Sequence, residues 1–471
     1  MVTTTKEQIL EINPNAEVHI FGQESQPETF AICKADLYLK SLDGRDADNI
    51  KFGSTLSNWQ LGTRCYDYQA ANPPYGKEWK TEQSAVEAEA ERGHGGRFGA
   101  GLPRISDGQL LFLQHMLSRM KPAKEGGGRV AIVMNGSPLF TGDAGSGESE
   151  IRRWILQNDW LEAIIALPEQ MFYNTGISTY IWILSNRKEK RRKSKVQLID
   201  ASGFWIQMRK SLGNKRREIS ADQTKQVLGL YTASQPGEQS RIFDSTEFGY
   251  RKITIERPLR LNFQVSAERL ARLESTLQGV LKLKPAEAGT PNRSVSTLQG
   301  GSPRGSLKAG HQTQAAILKA LRTVPDALCK DRAKFIPLLD AALKKADLKL
   351  GAPVRKAILS ALAERDETAE ICRDDAGQPE PDPELRDTEN VPLSQDINDY
   401  FDQEVKPHVP DAWINPSIRD HQDGEIGKVG YEINFNRYFY QYQPPRALGE
   451  IGAEIKTLEG EIMAMLRDVA G

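Results

Sequence analysis

The run Tyr66-Asp67-Tyr68-Gln69-Ala70-Ala71 is followed directly by Asn72-Pro73-Pro74-Tyr75-Gly76. The first part is typical of a short β-strand. Two consecutive prolines cannot continue the hydrogen-bond ladder of a sheet, so the chain leaves the strand as a stiff, extended turn. Because open parallel sheets bind ligands at the carboxyl ends of their strands, we predict that this turn lies at a ligand-binding edge.

Short β-rich runs alternate with helix-like segments on both sides of this turn, as far as about Arg187. This alternation predicts an α/β domain with a largely parallel sheet. The predicted strands are Glu17–Phe21, Tyr66–Ala70, Arg129–Met134, Leu161–Ala166 and Thr179–Leu184. Apolar residues at helical spacing predict helices over Thr29–Lys40, Asp107–Met120 and Glu148–Gln157.

The composition indicates a folded protein of 471 residues with a net charge of −1. Its apolar fraction of 39% rules out disorder throughout. The N-terminus lacks a secretory signal and no apolar run reaches the roughly 20 residues that span a bilayer, which predicts a cytoplasmic protein without membrane contact. The cysteines form no C-x-x-C pair, so we predict neither a disulfide framework nor a metal site. They are Cys33, Cys65, Cys329 and Cys372.

Positive charge is concentrated in one segment of this neutral chain. Arg187–Arg217 contains twelve basic and two acidic residues, a net charge of +10. Two interpretations are open. The segment is either a solvated turn followed by a charged loop, or a surface that contacts DNA phosphates.

The segment Lys282–Gln314 is rich in Gly, Ser, Thr and Pro, which predicts a flexible linker. It would divide the chain into an α/β domain over 1–281, the linker over 282–314 and a mostly helical C-terminal region over 315–471. The last predicted helix, Arg446–Val469, has apolar residues at alternating spacings of three and four, a heptad seam suited either to a partner helix or to docking on its own domain. The seam residues are Leu448, Ile451, Ile455, Leu458, Ile462, Met465 and Val469.

The turn after the predicted strand has residues suited to a planar group that carries an amine. The Asn72 side-chain oxygen and the Pro74 carbonyl can both accept hydrogen bonds from an –NH2 group, and the Tyr75 ring can stack on the plane. A base in duplex DNA would first have to be flipped out to reach such a site. The alternative is a rigid surface turn without a ligand.

Further segments make the chain recognisable. With these segments and YQAANPPYG (Tyr68–Gly76), the chain resembles the modification subunit of type I restriction–modification systems. That subunit is an adenine-specific DNA methyltransferase that uses S-adenosylmethionine. The segments include FGQE (Phe21–Glu24), FGSTL (Phe52–Leu56), RVAIVMNGSPLF (Arg129–Phe140), LPEQMFYNTGISTYIWILSNRK (Leu167–Lys188), QMRKSLGNKRREI (Gln207–Ile219) and GYEINFNRYFY (Gly430–Tyr440).

The resemblance implies a doubly wound S-adenosylmethionine-dependent methyltransferase sheet and transfer of a methyl group to a flipped-out adenine. The implied catalytic residues are Asn72, Pro73, Pro74 and Tyr75, and the implied cofactor-binding residues are Glu24, Thr55 and Leu56. The implied partners are double-stranded DNA, a specificity subunit that chooses the sequence, and in some systems a restriction subunit. Taken alone, Glu24 would be more typical of a helix cap or a surface carboxylate.

The first strand of that sheet and its glycine-rich turn have no counterpart in the sequence, because Met1–Ala16 contains no glycine. Lys6–Ile12 is typical of the helix that would follow such a turn. Without the strand, two sheet edges would be unpaired or the flanking strands would meet directly. We therefore expect a truncated gene product, a start codon assigned too late, or a split subunit. The glycine-rich Gly93–Gly101 is predicted to be a mobile loop that closes over the target base.

Two functions follow from these patterns. The first is an adenine-specific DNA methyltransferase subunit, although the missing turn leaves the activity of this chain open. The second is a catalytically inactive assembly subunit that binds a specificity subunit through Leu448–Val469. Similar Asn-Pro-Pro-Tyr turns also occur in methyltransferases that act on protein glutamine or RNA bases, and the turn alone does not exclude them.

Overall fold

The strand before Asn72 is present in the computed structural model of the chain, where Tyr68–Ala71 pairs in parallel with Arg129–Asn135. The structure describes residues 2–40, 44–281, 313–440, 442 and 447–470. They form two units. The first comprises Met1–Tyr250, Pro392–Ser394 and Val429–Gly471, and the second comprises Arg251–Val391 and Gln395–Lys428.

The described strands and helices follow in chain order. The strands are β1 (Gly22–Glu24), β2 (Ile50–Phe52), β3 (Tyr68–Ala71), β4 (Arg129–Asn135), β5 (Leu161–Ala166), β6 (Thr179–Ser185), β7 (Lys195–Asp200), β8 (Ile206–Leu212), β9 (Lys215–Glu218), β10 (Ser240–Asp244), β11 (Gly249–Glu256), β12 (Leu261–Phe263), β13 (Ala363–Arg365), β14 (Asp387–Pro392), β15 (Trp413–Ile414) and β16 (Lys428–Tyr431). The helices are α1 (Val2–Ile12), α2 (Pro27–Lys40), α3 (Arg45–Asp48), α4 (Gln83–Ala90), α5 (Gln109–Ser118), α6 (Ser137–Phe140), α7 (Gly147–Gln157), α8 (Ala221–Ala233), α9 (Ala267–Val280), α10 (313–321), α11 (Arg332–Lys345), α12 (Ala352–Leu362), α13 (Ile397–Tyr400), α14 (Phe435–Phe439) and α15 (Leu448–Ala470).

The first unit is built on a mixed sheet with the strand order β10-β7-β5-β6-β4-β3. β3, β4, β5 and β7 run in one direction, whereas β6 and β10 run antiparallel to their neighbours. The carboxyl ends of the four parallel strands therefore meet at one edge, which we call the carboxyl edge. It contains Ala71, Asn135, Ala166 and Asp200.

Helices pack on both faces of this sheet because its strands carry apolar side chains on both sides. On one face, α5 and α7 pack against a cluster that includes Ile132 and Trp182. On the other face, α8 packs against Ile165, Ile181 and Ile199. The predicted α/β class, with helices on either side of a sheet, is confirmed. The sheet is mixed and not largely parallel as predicted, because three of its five strand pairs are antiparallel.

The prediction of a strand over Glu17–Phe21 is wrong, because β1 begins only at Gly22. β1 pairs in parallel with β2 over three residue pairs. β1 and β2 form a separate two-stranded sheet, and neither pairs with β3. Among the described residues, one side of β1 and one side of β3 are therefore without a strand partner. The expectation of two unpaired edges is confirmed, and the alternative in which the flanking strands meet is wrong.

The second unit has a core of helices and strands. α9, α11 and α12 enclose a cluster in which the rings of Phe263 and Phe335 stack with centroids 4.9 Å apart. β12 pairs with β13, and β11 lies between β14 and β15. The C-terminal half thus contains strands as well as the predicted helices.

The observed division differs from the predicted one, since the first unit takes up Val429–Gly471. Most of the predicted linker, 282–312, lies outside the described residues, and 313–314 already belong to α10. The described seam residues of α15, from Leu448 to Met465, are exposed, so the interpretation that they dock on their own domain is wrong. Pairing with a partner helix stays a prediction. Within the described part of the chain, no helix has the length and apolarity needed to cross a membrane.

Candidate active site

The turn Asn72–Tyr75 lies at the carboxyl edge, immediately after β3. The Tyr75 hydroxyl donates a hydrogen bond to Asn72 Oδ1 at 2.6 Å. The Tyr75 ring meets Phe172 edge to face, with centroids 6.2 Å apart and planes at 84°. Since a carbonyl oxygen has two lone pairs, Asn72 Oδ1 keeps one acceptor position for a ligand. These two contacts of Tyr75 hold its ring and the Asn72 side chain in a fixed relation.

Two cavities meet at this turn. The first cavity has a volume of about 430 Å³ and lies between β1, β3 and the segment after β2. The second cavity has a volume of about 700 Å³ and lies between the turn and the segment 172–177. Asn72, Pro73 and Pro74 line both cavities. The turn is therefore the shared wall of two spaces, each within the range of small-molecule sites.

All three residues predicted to bind a cofactor line the first cavity. Glu24 ends β1, and its Oε1 accepts a hydrogen bond from the Gln26 backbone N–H at 2.7 Å. This hydrogen bond closes the turn between β1 and α2. It does not reach an N–H group of α2, so it is not the helix cap considered from sequence. Thr55 and Leu56 follow β2, and the Leu56 side chain is buried.

Arg97 fixes the segment that carries Thr55 and Leu56. Its guanidinium donates to the Thr55 carbonyl at 2.7 Å and to the Leu56 carbonyl at 2.8 Å. The same group forms a salt bridge with Glu89 at 2.7 Å, in which both side chains are mostly buried. Burial alone would raise the pKa of Glu89, but the hydrogen bonds and charge of Arg97 lower it below its usual value. A paired internal charge thus orders one wall of the first cavity.

His115 also lines the first cavity, next to Arg97. Its Nδ1 is 3.0 Å from Arg97 Nη1, and the Trp59 ring packs edge-on against the imidazole at 4.4 Å. Burial, with the positive charges of Arg97 and Arg119, lowers the pKa of His115 to about 3. The imidazole is therefore neutral at physiological pH, so Nδ1 can accept the hydrogen bond from Arg97.

The second cavity is bordered by polar and aromatic groups. Its lining residues besides the turn are Asn135, Phe172, Tyr173, Asn174, Thr175 and Ile177. Asn135 Oδ1 accepts a hydrogen bond from Gln109 Nε2 at 3.1 Å, and Gln109 in turn is bound by the buried Asp107. This relay fixes the end of β4 beside the turn. A flat, partly apolar ligand with polar edges suits such a lining.

The Tyr75 phenol provides a test of this geometry. Burial raises the pKa of Tyr75 from 10.0 to about 12, so the folded protein binds this proton more tightly than the unfolded chain does. The contribution of the phenol to stability is present below pH 10 and is lost as the pH rises towards 12. We expect the unfolding free energy of the wild type to fall relative to that of Tyr75→Phe between pH 8 and pH 11 in denaturant titrations. A constant difference would contradict the burial of the hydroxyl.

Comparison with known proteins gives the family. The family model for N-6 DNA methylases matches residues 1–254, more than half of the chain. The chain belongs to the N-6 DNA methylase family. The methylase subunit of the type I restriction enzyme MjaIX from Methanocaldococcus jannaschii is 24% identical over 238 residues, which cover 50% of this chain and 39% of that protein.

Two further relatives of this chain show the same partial match. The HindI methylase subunit of Haemophilus influenzae is 29% identical over 224 residues, covering 47% of this chain and 45% of that protein. The crystal structure of a type I methyltransferase subunit from Streptococcus thermophilus is 24% identical with a TM-score of 0.41, covering 49% and 45% of the two chains. The chain therefore spans less than half the length of each of these three proteins.

The structure of this chain brings the predicted site residues to one edge of the fold. Asn72, Pro73 and Pro74 lie between the two cavities, Tyr75 lines the second, and Glu24, Thr55 and Leu56 line the first. Sequence reasoning missed Arg97, Asn135 and Phe172. The glycine-rich run around Arg97 indicates close packing of the backbone, but it does not indicate which groups Arg97 binds.

The prediction of a mobile loop over Gly93–Gly101 is wrong. Phe98 is fully buried in a cluster with Leu56, Trp79 and Leu111. A Cβ atom at Gly99 would overlap the Gly93 carbonyl, so the glycine allows this segment to fold tightly on itself. The segment therefore supports the first cavity from behind, and none of its residues lines either cavity.

Proposed function

We propose that this chain supplies the catalytic part of a type I modification methyltransferase, which transfers a methyl group from S-adenosylmethionine to the exocyclic nitrogen of an adenine in duplex DNA. The observation that carries the proposal is the wall of Asn72, Pro73 and Pro74 shared by two cavities. Methyl transfer requires two ligands whose reacting atoms approach across a short distance, and a shared wall places two binding spaces side by side.

The first cavity suits the cofactor. The Glu24 carboxylate can accept hydrogen bonds from the two ribose hydroxyls, as acidic residues after a strand do in dinucleotide-binding sheets. The apolar and aromatic groups of Phe21, Leu56 and Trp59 suit an adenine ring. S-adenosylmethionine, when bound, supplies an electrophilic methyl group on its sulfonium sulfur.

The second cavity suits the target base. An adenine inside an intact duplex cannot reach this cleft, so the base has to rotate out of the stack at a cost of a few kcal/mol. Stacking on Tyr75, whose ring is already oriented by Phe172, would offset part of that cost.

Asn72 and Pro74 act on the amine itself. The Asn72 oxygen and the Pro74 carbonyl each accept a hydrogen bond from one N–H of the amine. The lone pair of the nitrogen is thereby drawn out of conjugation with the ring and becomes nucleophilic. In the transfer, the new N–C bond would form as the C–S bond of the donor broke, and the nitrogen would then release one proton to water. This chemistry requires hydrogen-bond acceptors in fixed positions and no strong base.

The choice of DNA sequence belongs to a separate specificity subunit in this proposal, as in the systems that the family resemblance indicates. The exposed seam of α15 is a surface suited to a helix of that partner, because apolar residues in a heptad pattern pair with a matching seam.

The experiment that tests the proposal is product analysis. The chain, with its specificity subunit, is incubated with S-adenosylmethionine labelled in the methyl group and with unmethylated DNA, which is then digested to nucleosides. We expect the label in N6-methyladenine. Label in N4-methylcytosine or 5-methylcytosine, or transfer to RNA or protein instead of DNA, would overturn the assignment.

Removal of the Glu24 carboxylate tests the cofactor side separately. We expect Glu24→Ala to weaken S-adenosylmethionine binding at least about tenfold, because two charge-assisted hydrogen bonds are lost. Glu28→Ala, in the first turn of α2 and outside both cavities, is the matched control and is expected to change the affinity less than about twofold. Calorimetry measures both, and equal affinities for the two variants would contradict the role of Glu24.

A further inference from the structure

The basic segment Arg187–Arg217 lies at two different places in the fold. Its first half follows β6 at the edge opposite the turn, since Ser185 pairs with Arg129 at the start of β4. Its second half follows β7, whose last residue, Asp200, lies at the carboxyl edge with the turn. Only the second half is therefore on the side of the second cavity.

Most basic residues of the first half have structural partners. Lys188 is buried and forms a salt bridge with Asp159, and Lys195 pairs with Asp244. Arg192 is buried against Gln197 and stacks on Tyr231 at 4.3 Å. These three side chains are thus engaged in contacts within the first unit.

The second half forms the hairpin β8–β9, which turns at Gly213 and Asn214. Arg209, Lys210 and Arg216 are exposed on it. Within the described part of the chain, no carboxylate forms a salt bridge with these three or with Lys215 and Arg217. The hairpin thus presents concentrated positive charge without an internal counter-ion.

The hairpin is fixed to the border of the second cavity. The backbone N–H groups of Asn214 and Arg216 donate to the carbonyls of Tyr173 and Gln170, each at 3.0 Å. The Lys215 ammonium lies 5.3 Å from the centre of the Tyr173 ring. Tyr173 lines the second cavity, so the charged hairpin is anchored directly beside it.

We infer that the hairpin β8–β9 binds the phosphate backbone of the DNA whose base enters the second cavity. The inference rests on the proposed function for the identity of the nucleic acid. A flipped nucleotide leaves its flanking phosphates at the mouth of the cleft, where cations without internal partners can displace counter-ions. These contacts position the duplex and carry no sequence information.

The test compares two double variants of the full chain that each remove two exposed cations from the same basic segment. Arg209→Ala/Lys210→Ala changes neighbouring strand residues, which point to opposite faces of the hairpin. Lys190→Ala/Lys193→Ala is the control, because both lysines are exposed in the turn at the opposite edge. Affinity for a fluorescent 30-base-pair duplex is measured by anisotropy over a range of NaCl concentrations.

We expect the hairpin double variant to bind about tenfold more weakly at low salt, and its slope of log K against log [NaCl] to be less steep by about 1 to 2. The control is expected to match the wild type. Equal affinities and slopes for the two variants, no DNA binding by the wild type, or a preference for duplex RNA would each overturn the inference.

A failure of the hairpin assignment can be distinguished from a failure of the proposed function, because DNA affinity and methyl transfer are measured separately. Methyl transfer to adenine is measured separately, with the wild type and with Asn72→Ala. If this variant and the wild type both fail to methylate adenine while the hairpin variant still loses DNA affinity, the hairpin assignment stands and the proposed reaction fails. If methylation depends on Asn72 but the hairpin variant binds like the control, the proposed reaction stands and the hairpin assignment fails.

Discussion

Asn72→Ala is expected to reduce the rate of methyl transfer to adenine by about 100-fold to 1000-fold. This is the range found when one hydrogen-bonding group of a preorganised site is removed. The Asn72 oxygen is one of two acceptors that would draw the amine out of conjugation, and the alanine methyl group cannot replace it. Single-turnover measurements with saturating S-adenosylmethionine isolate this step.

The control for this variant is Asn15→Ala, which removes an exposed amide outside both cavities. It is expected to react at the wild-type rate. Asn72→Ala should unfold at nearly the same denaturant concentration as the wild type, since its side chain is exposed. A rate within about threefold of the wild type would mean that Asn72 does not act on the amine, because such a change amounts to less than about 1 kcal/mol.

Arg97→Ala is expected to lower the free energy of unfolding by about 3 kcal/mol, because it leaves the mostly buried Glu89 carboxylate without its partner. It also removes the donors to the carbonyls of Thr55 and Leu56. We therefore expect S-adenosylmethionine to bind about tenfold more weakly, since two further hydrogen bonds that order the cavity wall are lost.

Two other arginine variants make the measurement specific. Arg97→Lys keeps the charge but not the planar fork of donors, so its loss of stability should be intermediate. Arg92→Ala removes an exposed arginine from the same segment and should change stability by less than about 0.5 kcal/mol. Urea unfolding followed by fluorescence measures all three, and equal stabilities for Arg97→Ala and Arg92→Ala would contradict the structural role of Arg97.

The part of the fold that local patterns determine was predictable. β5 agrees with its predicted bounds, and β3, β4 and β6 differ from theirs by one or two residues, because each run is rich in strand-forming residues and bounded by turn residues. β2 was not predicted, since three residues are too few for a period to show. β7 was also missed, because its buried Val196–Ile199 lies within the basic segment, where charge dominates the composition.

The candidate site was predictable where one short motif carried it. The two prolines placed the turn after β3, and the family resemblance placed Glu24 and Thr55. Arg97 lies more than 40 residues from the two carbonyls it binds, and no local pattern reports such a contact. The basic segment was ambiguous for the same reason, since only the strand order shows that its two halves lie at opposite edges.

The most direct test of the two-cavity arrangement is a crystal structure of the chain grown with S-adenosylhomocysteine. We expect ligand density in the first cavity, with the ribose hydroxyls on Glu24 and the thioether sulfur facing the wall of Asn72, Pro73 and Pro74. Density in the second cavity, density away from Glu24, or no bound ligand at saturating concentration would contradict it.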